Sequence, residues 1–136
     1  MREERLQSDI AVAFSQRYPK KKGQLFHVSN ERNSVKQAYR AKAIGIVAGV
    51  ADFLFISKKL NAALELKVPG SRHEVAKVRK QIWWGKLWES KGKKNHWRLC
   101  RTVEEALSCC EGNLQGMTLK EVEKFLNSVT TKTIKF

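Results

Sequence analysis

Apolar residues recur along the chain with two different periods. In residues 3–17, Leu6, Ile10, Ala13 and Phe14 fall at three- and four-residue spacings, which predicts a helix with one buried face. Tyr18-Pro19 ends it, because a residue before proline is pushed out of the helical region, and "KKKG" follows as a loop. "QLFHVS" (24–29) alternates and predicts a short strand. "NERNSVKQAYRAKAIG" is polar at first and reads as helix from about Ser34, and "VAGVA" is a loop of small residues. Two strands follow, 51–57 and 62–67, joined by a turn over "KKLN". After the break at "VPGSR", a long helix is predicted over 72–90, with Gly92 just past its end. "HWRLCR" is a short strand. Thr102 with Glu105, and then Thr118 with Glu121, have the spacing of capping boxes and open two last helices. The predicted order is α-β-α-β-β-α-β-α, an α/β fold of the α+β kind with a mixed sheet flanked by helices. All 136 residues form one domain in this reading, with 102–136 a C-terminal helical extension.

Composition adds a partner to this outline. At 42% hydrophobic the chain can build a core without covalent staples. No run of 18 apolar residues suggests a membrane span, and the charged start "MREERLQSDI" does not resemble a signal peptide. Three cysteines, two of them adjacent at 109 and 110, fit free thiols and a cytoplasmic location better than a disulfide framework. The 27 Lys and Arg stand against 13 Asp and Glu, a formal net charge of +14. The excess is uneven: residues 1–101 hold 23 basic and 8 acidic residues, residues 102–136 only 4 and 5. A basic body of this kind predicts a polyanionic partner, nucleic acid first; a solubilising surface or acidic lipid is the plainer alternative.

Within that basic body, "GVADFLFISKKLNAALELK" (49–67) places Asp52, Glu65 and Lys67 in a segment that otherwise reads as buried sheet. Alternation puts Glu65 and Lys67 on one face of their strand and Leu64 and Leu66 on the other. A hairpin closed over "KKLN" that pairs residue 57 with 62 brings Asp52 level with about residue 67. Two carboxylates at such a distance are costly to ionise together unless a cation stands between them. Hard oxygen ligands select Mg2+ or Mn2+, and the backbone carbonyl of Leu66 would add a ligand. Lys67 would then orient water or stabilise charge on a phosphate, which suits metal-assisted phosphodiester hydrolysis. On spacing alone, an ion pair in which Lys67 bridges the two acids is an equal reading.

At this point the residues resemble a known family. "GVADFLFI" followed by "AALELKVPG" looks like the active-site hairpin of the PD-(D/E)XK nuclease superfamily. More narrowly, the chain resembles the virus-type replication-repair nuclease (VRR-NUC) domain over residues 3 to about 107. The elements match in order: "EERLQ" in the first helix, "FHVSNE" after a strand, "GIVAGVAD", "ELK", and then Gln81, Trp84 and Gly92. Ala51 stands where the family usually has proline, and "RHEVAKVRK" lengthens the segment before Gln81. The resemblance implies a restriction-endonuclease-like core and a Mg2+- or Mn2+-dependent DNA endonuclease. Asp52, Glu65 and the Leu66 carbonyl would hold the metal, together with Glu3, which is preferred to Glu4 because it lies four residues before Gln7 on one helix face. Lys67 would be the catalytic lysine, and Gln81 would approach from the long helix. Family members of this stand-alone kind resemble phage enzymes of replication, recombination and repair. They tend to be homodimers, and some act on four-way junctions. A non-catalytic nucleic-acid-binding module of the same fold is the alternative, and an inhibitor that turns its basic face to an acidic protein is a third.

Other residues bear on binding. Trp84 and Trp88 share a helix face with Gln81 and read as core, whereas Trp83 points toward Arg79, Lys80 and Lys86, where it would stack on a base or pack in a dimer. Lys20, Lys21 and Lys22 would grip phosphates, as would "KGKK" (91–94). His96 with Cys100, Cys109 and Cys110 lacks the C-x-x-C spacing of a zinc site. His27 and His73 are assigned no role. The glycines at 45, 49 and 70 form no P-loop, so no nucleotide cofactor is expected.

Overall fold

The computed structural model describes residues 2–28, 39–40, 43–45 and 47–136. In chain order the elements are helix α1 (Glu3–Arg17), a single 3-10 turn (Pro19–Lys21), β1 (Leu25–His27), β2 (Phe53–Ile56), β3 (Asn61–Leu66), β4 (Arg72–Glu74), α2 (Val75–Ser90), β5 (Asn95–Cys100), α3 (Val103–Cys110), α4 (Leu119–Asn127) and β6 (Thr133–Lys135). The helix read from Ser34 falls mostly outside the described residues. Four strands form a mixed sheet in the order β1-β2-β3-β5, antiparallel except for the parallel pair β3-β5. The α/β class with a mixed sheet flanked by helices is therefore present.

The core lies in two layers, one on each face of this sheet. Leu6, Ile10 and Phe14 of α1 pack with Ala106, Leu107 and Cys110 of α3 against Phe53, Phe55, Ala62, Leu64 and Leu66. Val78 and Ile82 of α2 and Leu119, Val122 and Leu126 of α4 pack against Ala63, Trp97 and Leu99 on the opposite face. Strand β3 is thus buried on both sides, which explains its nearly continuous apolar run. Each fully buried Leu or Ile contributes roughly 1.5–3 kcal/mol. Gly85 lets α2 lie close on this layer, since a Cβ there would stand 2.6 Å from Leu119 Cδ2 and 2.9 Å from Trp97 Cδ1.

Five expectations need correction. Residues 72–74 are not the start of the long helix; they form β4, which pairs antiparallel with β6. The region 102–136 is not helical throughout, because β6 returns to the body of the fold and buries Ile134. The predicted element order accordingly lacks two strands and one of the two last helices. The hairpin register also differs by two residues: Ile56 pairs with Asn61 and Phe53 with Leu64. The turn closes earlier than expected, through the Ser57 N–H donating to the Leu60 carbonyl at 3.1 Å. Thr118 and Glu121 form the complete capping box. Thr102 accepts from the Glu105 N–H, but the Glu105 carboxylate turns instead to the Arg101 N–H, at 2.7 Å.

Candidate functional site

The observed register places Asp52, one residue before β2, level with Glu65 rather than with Lys67. Asp52 Oδ2 accepts the Leu66 N–H at 2.8 Å, so the hairpin's own backbone fixes the aspartate. In an extended residue the carbonyl leaves the strand on the same edge as the N–H. The Leu66 carbonyl therefore lies on the Asp52 edge of β3.

Glu65 is 2% exposed, and its Oε2 is a buried oxygen with no hydrogen-bond partner. Burial, and then the charge of Asp52, push its carboxyl well above the usual carboxylate range. Lys67 opposes that shift, while a hydrogen bond with Asp52 and the charge of Glu3 add to it. Gln81 Oε1 is a second buried oxygen without a partner. Both side chains face one cavity of about 190 Å³, which Glu3, Gln7, His27, Gly49 and Asp52 also line. Gly49 brings the loop before β2 against α2: its φ is +90°, and a Cβ there would sit 2.6 Å from the Lys80 carbonyl oxygen. That close approach holds Gln81 beside the hairpin.

The structure thus brings together Glu3, Asp52, Glu65 and Gln81 in one cavity. Among the described residues, no group of three or more His, Cys, Asp and Glu side chains converges to hold a metal ion. The side-chain oxygen donors lining the cavity are the adjacent carboxylates of Asp52 and Glu65, the carboxylate of Glu3, and the amides of Gln7 and Gln81. Two buried oxygens left unsatisfied beside a carboxylate pair fit a hard divalent cation, which takes one or two carboxylates and keeps several waters. Lys67 does not line this cavity. It is buried at 4% exposure, and its charge acts on both Glu65 and His73.

Two histidines left unassigned by sequence stand close by. His27 lines the cavity and donates from Nδ1 to the Asp52 carbonyl oxygen at 2.9 Å, since a carbonyl only accepts. Its signal was its place in "FHVSNE", two residues after Leu25 on the strand beside β2. His73 sits on β4. Ser71 donates its hydroxyl hydrogen to the Val68 carbonyl at 2.6 Å, so His73 Nε2 must donate to Ser71 Oγ at 2.7 Å. Burial and the charge of Lys67 lower the His73 pKa to about 4. Gln7, four residues after Glu3, also reaches the cavity.

Away from this cavity, Trp84 and Trp88 stack at 5.6 Å between ring centroids, with Trp88 Nε1 donating to the His96 carbonyl. Trp83 is 58% exposed beside Arg79 and Lys86. Lys20, Lys21 and Lys22 are exposed at the 3-10 turn, and Lys80 is exposed on α2. The three cysteines are free thiols. No helix among the described residues is long and apolar enough to cross a membrane. No family model, curated protein or solved structure matches this chain.

Proposed function

We propose that the chain is a Mg2+- or Mn2+-dependent DNA endonuclease with the core of the PD-(D/E)XK superfamily. The observation that carries this reading is buried Glu65 beside half-buried Asp52, with unsatisfied oxygens on Glu65 and Gln81 in one cavity. Asp52, Glu65, Gln81 and the Leu66 carbonyl would hold the metal, with Glu3 alongside. The bound ion would supply a Lewis acid and lower the pKa of water for attack on phosphorus. The chain's own residues do the rest. The Leu66 N–H fixes Asp52. Burial keeps the Glu65 carboxyl desolvated and ready to exchange its proton for a cation. Lys67 contributes positive charge beside the acids, where negative charge builds on the phosphate. The charge of +14 supports DNA as substrate. Branched or four-way-junction DNA and a homodimer that cuts two strands complete the proposal.

The test is cleavage of linear duplex, flapped and four-way-junction DNA with Mg2+ or Mn2+. Activity is expected in the wild type, lost with EDTA and lost in Asp52→Ala while DNA binding survives. Full activity in Asp52→Ala would overturn the reading. A non-catalytic DNA-binding module is the second reading. It is favoured because, among the described residues, no three His, Cys, Asp or Glu side chains converge closely enough to hold a metal ion. No cleavage of any substrate in either metal, with tight DNA binding, would select it.

A further inference from the structure

Three loops that are far apart in sequence meet at one end of the main sheet. Residues 19–23 lead into β1, residues 57–60 join β2 to β3, and residues 91–94 lead into β5. Backbone pairing puts all three at the same end. Ile56 stands opposite Asn61, Asn61 stands opposite Asn95, and the Ile56 N–H donates to the Gln24 carbonyl at 2.9 Å. Lys94 ties two of the loops together, accepting the Asn61 N–H at its carbonyl and donating from Nζ to the Lys58 carbonyl. The loops carry "KKK" at 20–22, "KK" at 58–59, and Lys91, Lys93 and Lys94, eight lysines in all and every one exposed. Among the described residues, none of the eight forms an ion pair. Glu111, at the end of α3, is engaged by Tyr18 and Arg17, and Glu89 by Arg98 and the Trp97 N–H. Like charges crowded in this way repel one another, and a polyanion relieves the repulsion. The acidic cavity opens toward the other end of the sheet, separated from the lysines by the length of β3, about 20 Å for a strand of this size.

The chemistry of the three loops selects the polyanion. An acidic membrane calls for apolar side chains among the lysines, and the loops offer little beyond Leu60, which packs against the core. They carry no aromatic ring, so they have nothing on which unpaired bases could stack. From β1 to β5 the lysines spread over three strand spacings, about 14 Å. A single strand presents one row of phosphates, whereas a duplex presents two rows that face each other across a major groove about 12 Å wide. We infer that this lysine end of the sheet docks the backbone of duplex DNA, at the opposite end from the acidic cavity. Docking needs no metal and reads no sequence, because lysine meets phosphate as a point charge. Under the nuclease reading, on which only this last consequence rests, the surface grips a part of the substrate remote from the cut.

The experiment uses the full chain and a fluorescently labelled duplex of mixed sequence, in EDTA so that binding is read without cleavage, over a range of salt concentrations. Three variants replace lysine by glutamine, one loop at a time: at 20, 21 and 22, at 58 and 59, and at 91 and 93. Lys94 is kept because it holds the Lys58 carbonyl. Each variant should flatten the dependence of affinity on salt by roughly one per lysine removed. A control with Lys120, Lys124, Lys132 and Lys135, all exposed in the C-terminal part, replaced by glutamine should leave the slope nearly unmoved. Thermal unfolding checks the fold of every variant. The wild type should bind duplex more tightly than a single strand of the same length. A control that flattens the slope as much as the loop variants, a loss confined to one loop, or equal affinity for single strand and duplex would overturn the inference. Binding to phosphatidylserine vesicles that the loop variants lose, with DNA binding unmoved, would assign the surface to an acidic membrane and overturn it too. With Mg2+ or Mn2+, the loop variants should need more DNA for half-maximal cleavage at an unchanged maximal rate. Flattened slopes with no cleavage by the wild type would keep the docking surface and remove the nuclease reading; cleavage with unmoved slopes would do the reverse.

Discussion

At the scale of single residues, Glu65 is the side chain whose chemistry depends most on its surroundings. Its folded-state pKa is raised, chiefly by burial and then by Asp52. An acid raised in this way keeps its proton in the fold after the unfolded chain has lost it, so stability falls as pH climbs above the ordinary carboxylate value. Glu65→Gln should therefore raise the melting temperature of the metal-free protein at pH 7–8, and the gain should vanish near pH 4. Calorimetry across that range checks it, and a flat difference would refute it. Mg2+ should stabilise the wild type and leave Glu65→Gln nearly unmoved. His73 has the opposite sign. Its folded pKa lies near 4 against an ordinary 6.5, so between those values the unfolded chain binds the extra proton and stability rises with pH. His73→Gln should flatten that part of the profile. Lys67→Ala should lower the rate of DNA cleavage by about 10²–10³-fold, as loss of a group that stabilises developing charge does. That Asp52 and Glu65 are neighbours was legible because pairing and alternation on strands are fixed geometry, but Lys67, expected beside them, does not line their cavity. His27 was not, because its role comes from a hydrogen bond to the carbonyl of a residue 25 positions away.

At the scale of elements, local rules succeed where an element is long. Helices α1 and α2 have periodic apolar faces and were readable within a few residues at each end. Strands β4 and β6 were not. "RHE" and "TIK" are three residues each with no alternation to speak of, and each becomes a strand only because the other lies opposite it. Their register brings Ile134 under the α2 layer. Ile134→Ala should cost about 2–5 kcal/mol, readable as a lower urea midpoint. The two-residue slip in the hairpin has a similarly local cause. Ser57 and Leu60 close the turn, which returns Asn61 to the strand. The loop before β2 carries its own requirement at Gly49. A methyl group there meets the Lys80 carbonyl, and the positive φ disfavours any L side chain. Gly49→Ala should push the loop off α2, weaken metal binding measured by calorimetry and lower thermal stability, whereas the same change at Gly92, with open space around it, should do little.

At the scale of the whole molecule, the charge was the plainest signal in the sequence, but not where it would act. The structure puts Lys20, Lys21 and Lys22 exposed at the turn between α1 and β1, and Arg79 and Lys80 exposed on α2. If these lysines contact phosphates, binding must fall steeply with salt, by about 0.9 log unit per log unit of salt for each phosphate neutralised. Replacing Lys20, Lys21 and Lys22 by alanine should reduce that slope by roughly three, with no change in fold, since each phosphate contact is worth about one. An unchanged slope would move the interface elsewhere. The layered arrangement also has a consequence for biosynthesis. Asp52 lies just before β2 and Glu65 on β3, but β3 finds its parallel neighbour only at Asn95–Cys100, and β4 finds its own only at Thr133–Lys135. A chain leaving the ribosome exposes Asp52 and Glu65 long before the strands that wall them in have been made. The burial of Glu65 therefore waits on strands made well after it, and under the nuclease reading proposed above a nascent chain would lack an assembled site.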